Sequence, residues 1–180
     1  MSALEAAAVF AIGGSVLAVA VPTFLRNLSA SKLAEPIEGL DRLVTNTVAY
    51  AARHPQDISF PPPAPLTPAE VPRGVRVVDP PDAWQHLTWR ALDFGFDPCV
   101  RRPPQGDPPA GPRSCGTPHA FSFKFDSELD PATHVMRFTA TAHGDLDGDG
   151  NVSTFEVRGE RVPGQPARVL PGMFIDREVE

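Results

Sequence analysis

At 180 residues the chain has room for one modest domain and an appended element, enough to bury a core and too little for two large domains. Its net charge is −6 and its cations are scattered, only Arg101-Arg102 being adjacent, so no basic stripe tracks phosphates and a nucleic-acid ligand is excluded. The 22 prolines, most of them between Pro55 and Pro118 or after Pro163, assign much of the chain to loops and sheet edges.

From Ala6 to Leu25 the chain carries no charged residue. A run of about 20 residues at 1.5 Å rise each crosses a bilayer. A cleaved signal peptide would need a basic region before the run and small residues at a cleavage site, whereas here an acid precedes it and a polar helix follows. Leu25, Leu28, Leu33, Ile37, Leu40, Leu43, Val44, Thr47 and Val48 then form an amphipathic stripe, which extends the predicted helix to about Ala52. Gly13-Gly14, Pro22 and Pro36 are the places where such a rod bends. Glu5 stands at the edge of the apolar run, where a carboxylate costs several kcal/mol unless it is paired, which makes it a functional suspect. The amine of its own Met1 is the nearest cation, but the rigid backbone between them aligns the two poorly, and a neighbouring copy's amine does better.

The stretch from Pro55 to Pro81 reads as a proline-rich crossing with one short strand at Val75 to Val78. Trp84, Leu87, Trp89 and Leu92 predict a short helix laid on the core, and buried packing of its tryptophans is favoured over a carbohydrate platform. Cys99 and Cys115 bracket a Pro/Gly-rich segment. A disulfide closing that loop would stabilise by about 3 kcal/mol in the chain-entropy view, the alternative being two free thiols in a reducing compartment. Phe121, Phe123 and Phe125 alternate strictly, as do Met136, Phe138, Ala140 and Ala142, so each set faces one side of a strand. Phe155 and Val157 begin a third strand and Val169 to Ile175 make a fourth, an antiparallel meander with one face against the C-terminal half of the long helix.

Between the second and third of these strands, Asp145, Asp147, Asp149, Gly150 and Glu156 fit D-x-D-x-D-G-x5-E, with Asn151 and Ser153 at the remaining ligand places. Alternate acids in a tight loop set three carboxylates around one point, and hard oxygens select Ca²⁺ as a structural ion. The competing reading is a metal-free Asp/Gly hairpin turn. Strand alternation turns Glu156 away from Phe155 and Val157, which leaves its part in ligation open. The histidines at 54, 86, 119, 134 and 143 form no zinc spacing, and no G-x-S-x-G, Walker loop or C-x-x-C occurs, so no active site is expected and the chain is not read as an enzyme.

Glu5, Gly14, Pro22 and Phe24, set among Ala11-Ile12, Ala18 and Ala20, resemble the mature N-terminal helix of type IV pilins and type II secretion pseudopilins, in register from the first residue. The chain departs from that pattern at Met1, where Phe is usual, and at Ala6-Ala7-Ala8, where bulkier residues are usual. More narrowly, Trp84, Trp89 to Phe94, Phe138 to Ala142 and the GDLDGDG run at Gly144 to Gly150 are similar to a group of pilin-like proteins from myxobacteria and relatives. The resemblance implies an α+β fold in which a long N-terminal α-helix, the stem, packs against a small antiparallel β-sheet head. The corresponding divisions are a stem at 1–54, a crossing loop at 55–83 and a head at 84–180. It further implies that Met1 is the first residue of the mature chain, with an amine open to methylation. Glu5 would pair with the Met1 amine of an adjacent subunit, and the segment between Gly14 and Pro22 would unwind on assembly. The chain would then be a homo-oligomer in a helical filament, with minor pilins as further partners. It would sit in the inner membrane before assembly and in a cell-surface pilus afterwards. The alternative, from a different class, is a membrane-anchored, non-polymerising, Ca²⁺-dependent module that binds a surface or glycan through the proline-rich loops and Trp84.

Overall fold

The computed structural model describes residues 33–55, 60–96 and 116–177. The chain divides into two compact units, Met1–Ala34 and Glu35–Glu180, and nearly all described residues belong to the second. Met1, Glu5, Gly14, Pro22, the apolar run between Ala6 and Leu25, Cys99 and Cys115 lie outside the described residues.

The first described element, α1, is helical over 33–53. Its buried positions are Pro36, Gly39, Leu40, Leu43, Val44, Thr47 and Ala51, a stripe of helical period. Thr47 is tolerated there because its hydroxyl donates to the Leu43 carbonyl one turn back, at 2.8 Å. Ile37, one step off the stripe, is 43 % exposed, so Pro36 and Gly39 take the inward places that the apolar pattern had given to it.

Six strands follow: β1 (Ala64–Thr67), β2 (Phe121–Leu129), β3 (Met136–Gly144), β4 (Ser153–Arg161), β5 (Arg168–Val169) and β6 (Phe174–Asp176). They form one sheet in the order β1-β2-β3-β4-β5, with β6 sharing the β4 edge, and every pairing is antiparallel. A five-residue helix, α2 (Leu87–Ala91), lies between β1 and β2. The alternation of β2, β3 and β4 sends Phe121, Phe123, Phe125, Phe138, Ala140, Ala142 and Phe155 inward, all at 0–1 % exposure. Phe121 lies opposite Gly144 and Phe138 opposite Gly159, and each ring covers its glycine so closely that a Cβ there would sit 2.5 or 2.2 Å from ring carbons. The helix backbone meets this aromatic face in the same way, since a Cβ on Gly39 would stand 2.4 Å from Phe123 Cζ.

Both ends of this helical stretch are tied to the sheet by charge. The Glu35 carboxylate accepts the Ala120 and Phe121 amides at 2.6 and 3.1 Å and pairs with Arg76 at 2.5 Å. Past the C-terminal end, Arg161 donates to the His54 and Pro55 carbonyls at 3.2 and 3.1 Å, a cation placed where the helix dipole is negative. Arg42, midway, donates to the Gly95 carbonyl at 2.8 Å and lies 4.7 Å above the Phe94 ring.

The expected α+β fold, a long stem helix packed on a small sheet, is corrected by this arrangement. The described residues are mostly a six-stranded antiparallel sheet, and their helix is the 21 residues at 33–53 together with the short α2. The sheet is larger than expected because strands form where no alternation announces them. β1 arises inside the proline-rich crossing, since an edge strand has no outer ladder for a proline to break. Val75 to Val78, expected to be a strand, makes only the single bridge Val77 to His119, with Arg73 just before it bridging Asp145. The single strand expected over Val169 to Ile175 is two, β5 and β6, parted at Pro171-Gly172, where Gly172 has φ +96°.

The Gly39 contact yields a direct prediction. Gly39→Leu should lower stability by about 2–3 kcal/mol in denaturant unfolding, overpacking outweighing a helix-propensity gain of about 1 kcal/mol, while Ile37→Ala should stay within about 0.5 kcal/mol.

Candidate functional site

The turn between β3 and β4 holds the three aspartates that the sequence pattern singled out. Asp145, 1 % exposed, accepts the Gly148 amide at 2.8 Å on Oδ1 and the Gly150 amide at 3.1 Å on Oδ2. Asp147 Oδ1 accepts the Asp149 amide at 3.1 Å. Asp149 accepts the Asn151 amide and side-chain Nδ2, both at 2.7 Å, and these bonds hold its carboxyl below the usual carboxylate range. Positive φ at Gly148 and Gly150, +80° and +95°, lets the chain fold back each time. One carboxylate oxygen from each of the three aspartates lies within 4.8 Å of the others.

The crossing segment braces this turn from outside. The Gly74 amide donates to the Asp145 carbonyl at 2.7 Å, and at φ +64° Gly74 comes so near Gly148 that a Cβ on it would stand 3.5 Å from the Gly148 Cα.

Two other residues of the pattern are not brought to the cluster. Ser153 is fully buried and its hydroxyl donates to the Gly144 carbonyl at 2.9 Å, closing the base of the turn. Glu156 faces outward on β4, where its carboxylate accepts Arg158 Nε at 2.5 Å. The cause is the period of two: β4 begins at Ser153, so the twelfth position of the pattern falls on an extended strand running away from the loop. Asp145, Asp147 and Asp149 are therefore the side chains that would hold a cation, with Asn151 fixing the last of them. Oxygen donors of this hardness suit Ca²⁺, and the rest of its shell would come from backbone carbonyls and water.

A second polar group, unannounced by spacing, lies inside the core. Asp79 Oδ2 accepts Trp84 Nε1 at 2.6 Å and faces His119 Nε2 at 2.7 Å, while His119 Nδ1 lies 2.9 Å from the Phe121 carbonyl. A carbonyl only accepts, so Nδ1 is the donor to it and Nε2 is the ring nitrogen that meets the carboxylate. His119 is 0 % and Asp79 5 % exposed. Phe96 stacks on the imidazole at 4.4 Å, and Trp84 packs edge-on against Trp89 and Phe94. Sealed in this way the pair has no face for a substrate and serves as a joint between the crossing segment and the start of β2. His119 looks like any isolated histidine in the sequence, because its partner is forty positions away.

Both tryptophans are committed to the interior. Trp84 is 8 % exposed, and the fully buried Trp89 donates from Nε1 to Thr67 Oγ1 at 2.9 Å.

No family model, curated protein or solved structure matches this chain. The chemistry of the turn rests on its own residues.

Asp79→Ala would leave the Trp84 Nε1–H and the His119 Nε2 buried without the carboxylate that answers them. The expected cost is about 3–5 kcal/mol, read from the midpoint of denaturant unfolding followed by the fluorescence of the two tryptophans.

Proposed function

We propose that the chain is a structural subunit of a type IV pilus-like filament, held in the inner membrane before assembly and polymerised through its N-terminal apolar segment into a cell-surface fibre. What supports this most is the charge-free run from Ala6 to Leu25 with Glu5 at its edge and Gly14 and Pro22 within it. A lone carboxylate beside hydrocarbon requires a counter-charge, and the Met1 amine of an adjacent copy supplies one. The head contributes a domain in which the ends of α1 and the aspartate turn are tied down by hydrogen bonds, which suits exposure outside the cell. Cys99 and Cys115 would add a disulfide there, and Asp145, Asp147 and Asp149 a structural Ca²⁺. Minor pilins would be its other partners. It is read as a non-enzyme.

The surface-binding alternative placed its contacts on the proline-rich loops and Trp84, and of these Trp84 is buried against Asp79 and Phe96.

Negative-stain microscopy of sheared cell-surface material, labelled with antibody to the head, tests the proposal: decorated fibres are expected, and decoration confined to envelopes overturns it. Glu5→Gln should reduce fibre yield at least severalfold with the amount of membrane-bound chain unchanged; undiminished yield would count against the pairing.

Calcium gives a separate prediction. Without a bidentate glutamate the site belongs with weak extracellular sites of about 10⁻⁴–10⁻³ M, so about 10 mM Ca²⁺ should stabilise by roughly 1.4–2.7 kcal/mol over chelator, a rise of several degrees in melting temperature. Asp147→Asn should remove most of that rise, and equal melting temperatures in calcium and in chelator would dismiss the ion.

A further inference from the structure

The sheet has a second face, turned away from α1. There the outward residues of β2, β3 and β4 enclose a shallow depression of about 490 Å³, lined among others by Lys124, Asp126, Thr139, Thr141, His143 and Glu156. From Thr139 to His143 it runs about 13 Å along β3. Glu156 also lines a second depression, of about 380 Å³, together with Leu170, Met173 and its own β6 partner Phe174.

The chemistry of this trough narrows what it can hold. The backbone amides and carbonyls of β3 are paired on both sides along its whole length, so an occupant is recognised by side chains and strand addition is ruled out here. Its charges are largely answered within the surface: Lys124 pairs with Asp126 at 2.6 Å, Glu156 with Arg158 at 2.5 Å and Arg137 with Asp130 at 3.3 Å. Neither a polyanion nor a polycation finds a field of opposite sign. The floor is hydroxyl and imidazole, with Thr141 sunk to 7 % exposure and His143 Nδ1 3.0 Å from Thr154 Oγ1. A purely apolar ligand would strand these groups. The remaining feature is an apolar wall with an unusually open ring, Phe174 at 60 % exposure.

We infer that this trough binds a neutral oligosaccharide, with its hydroxyls on Thr139, Thr141, His143 and Glu156 and the C–H face of a sugar ring against Phe174. Neutral saccharides combine dense paired donors and acceptors on their edges with apolar faces and carry no charge, which is the complement of a charge-balanced polar floor beside one aromatic wall. The inference depends on neither polymerisation nor calcium, and chelator should leave the binding intact.

The test is calorimetric titration of the full chain, in a zwitterionic detergent free of sugar, with neutral hexasaccharides of the β-1,4-glucan, α-1,4-glucan, β-1,3-glucan and mannan types. A sulfated polysaccharide and an uncharged extended peptide serve as comparators. At least one neutral hexasaccharide should bind, and Phe174→Ala and Thr141→Val should each weaken it about fivefold or more, with melting temperatures near that of the parent. The idea fails if no neutral hexasaccharide binds, if only the polyanion or the peptide does, or if both variants bind as the parent does.

Discussion

The described residues are organised by the close seating of α1 on a sheet face built from phenylalanine. Gly39 brings the helix backbone down onto the Phe123 ring, and Leu40, Leu43, Val44 and Ala51 fill the space on either side. Leucine and valine side chains stabilise by roughly 1.5–3 kcal/mol each when fully buried. Apolar contact is indifferent to direction, however, and would tolerate the helix at several rotations and offsets. Direction is set by the ends, where Glu35 takes two backbone amides at the start of β2 and Arg161 takes two carbonyls beyond the helix. The stripe supplies most of the attraction, and the charged ends supply the register.

A chain with 22 prolines still builds a sheet because its prolines avoid the inner ladders. β2, β3 and β4 contain none, while Pro65 sits in the edge strand β1 and Pro171 in the gap between β5 and β6. The glycines of the inner strands have a comparable logic. Gly144 and Gly159 lie under Phe121 and Phe138, so each ring covers backbone that would otherwise be left bare, and the face stays flat enough for a helix to approach.

The aspartate turn and the Asp79–His119–Trp84 joint lie at the two ends of one stretch of chain. Gly74 is bonded to the turn, Val77 pairs with His119 through both of its backbone groups, and Asp79 closes the joint. The crossing segment, in composition a linker, is thereby pinned at three successive places. Its exposed side chains, such as Val75, matter less than its amides and carbonyls, because those are what the neighbouring strand ends require.

Some of this was legible from residue order alone. The Phe121, Phe123, Phe125 alternation, the Met136 to Ala142 alternation and the helical stripe from Leu40 to Val44 state their own period, and a period fixes which face goes inward wherever one face is buried. The D-x-D-x-D-G turn was legible too, being a local backbone shape carried by adjacent residues. The size of the sheet, the edge strand at Ala64–Thr67, the outward position of Glu156 and the union of Asp79 with His119 were decided only by tertiary structure. Each of these depends on a partner supplied from far along the chain: an open edge of β2, the extended run of β4, or a carboxylate brought beside an imidazole. Local sequence encodes the conformations a segment prefers, whereas the hydrogen bonds and burial that select among them belong to segments meeting in space.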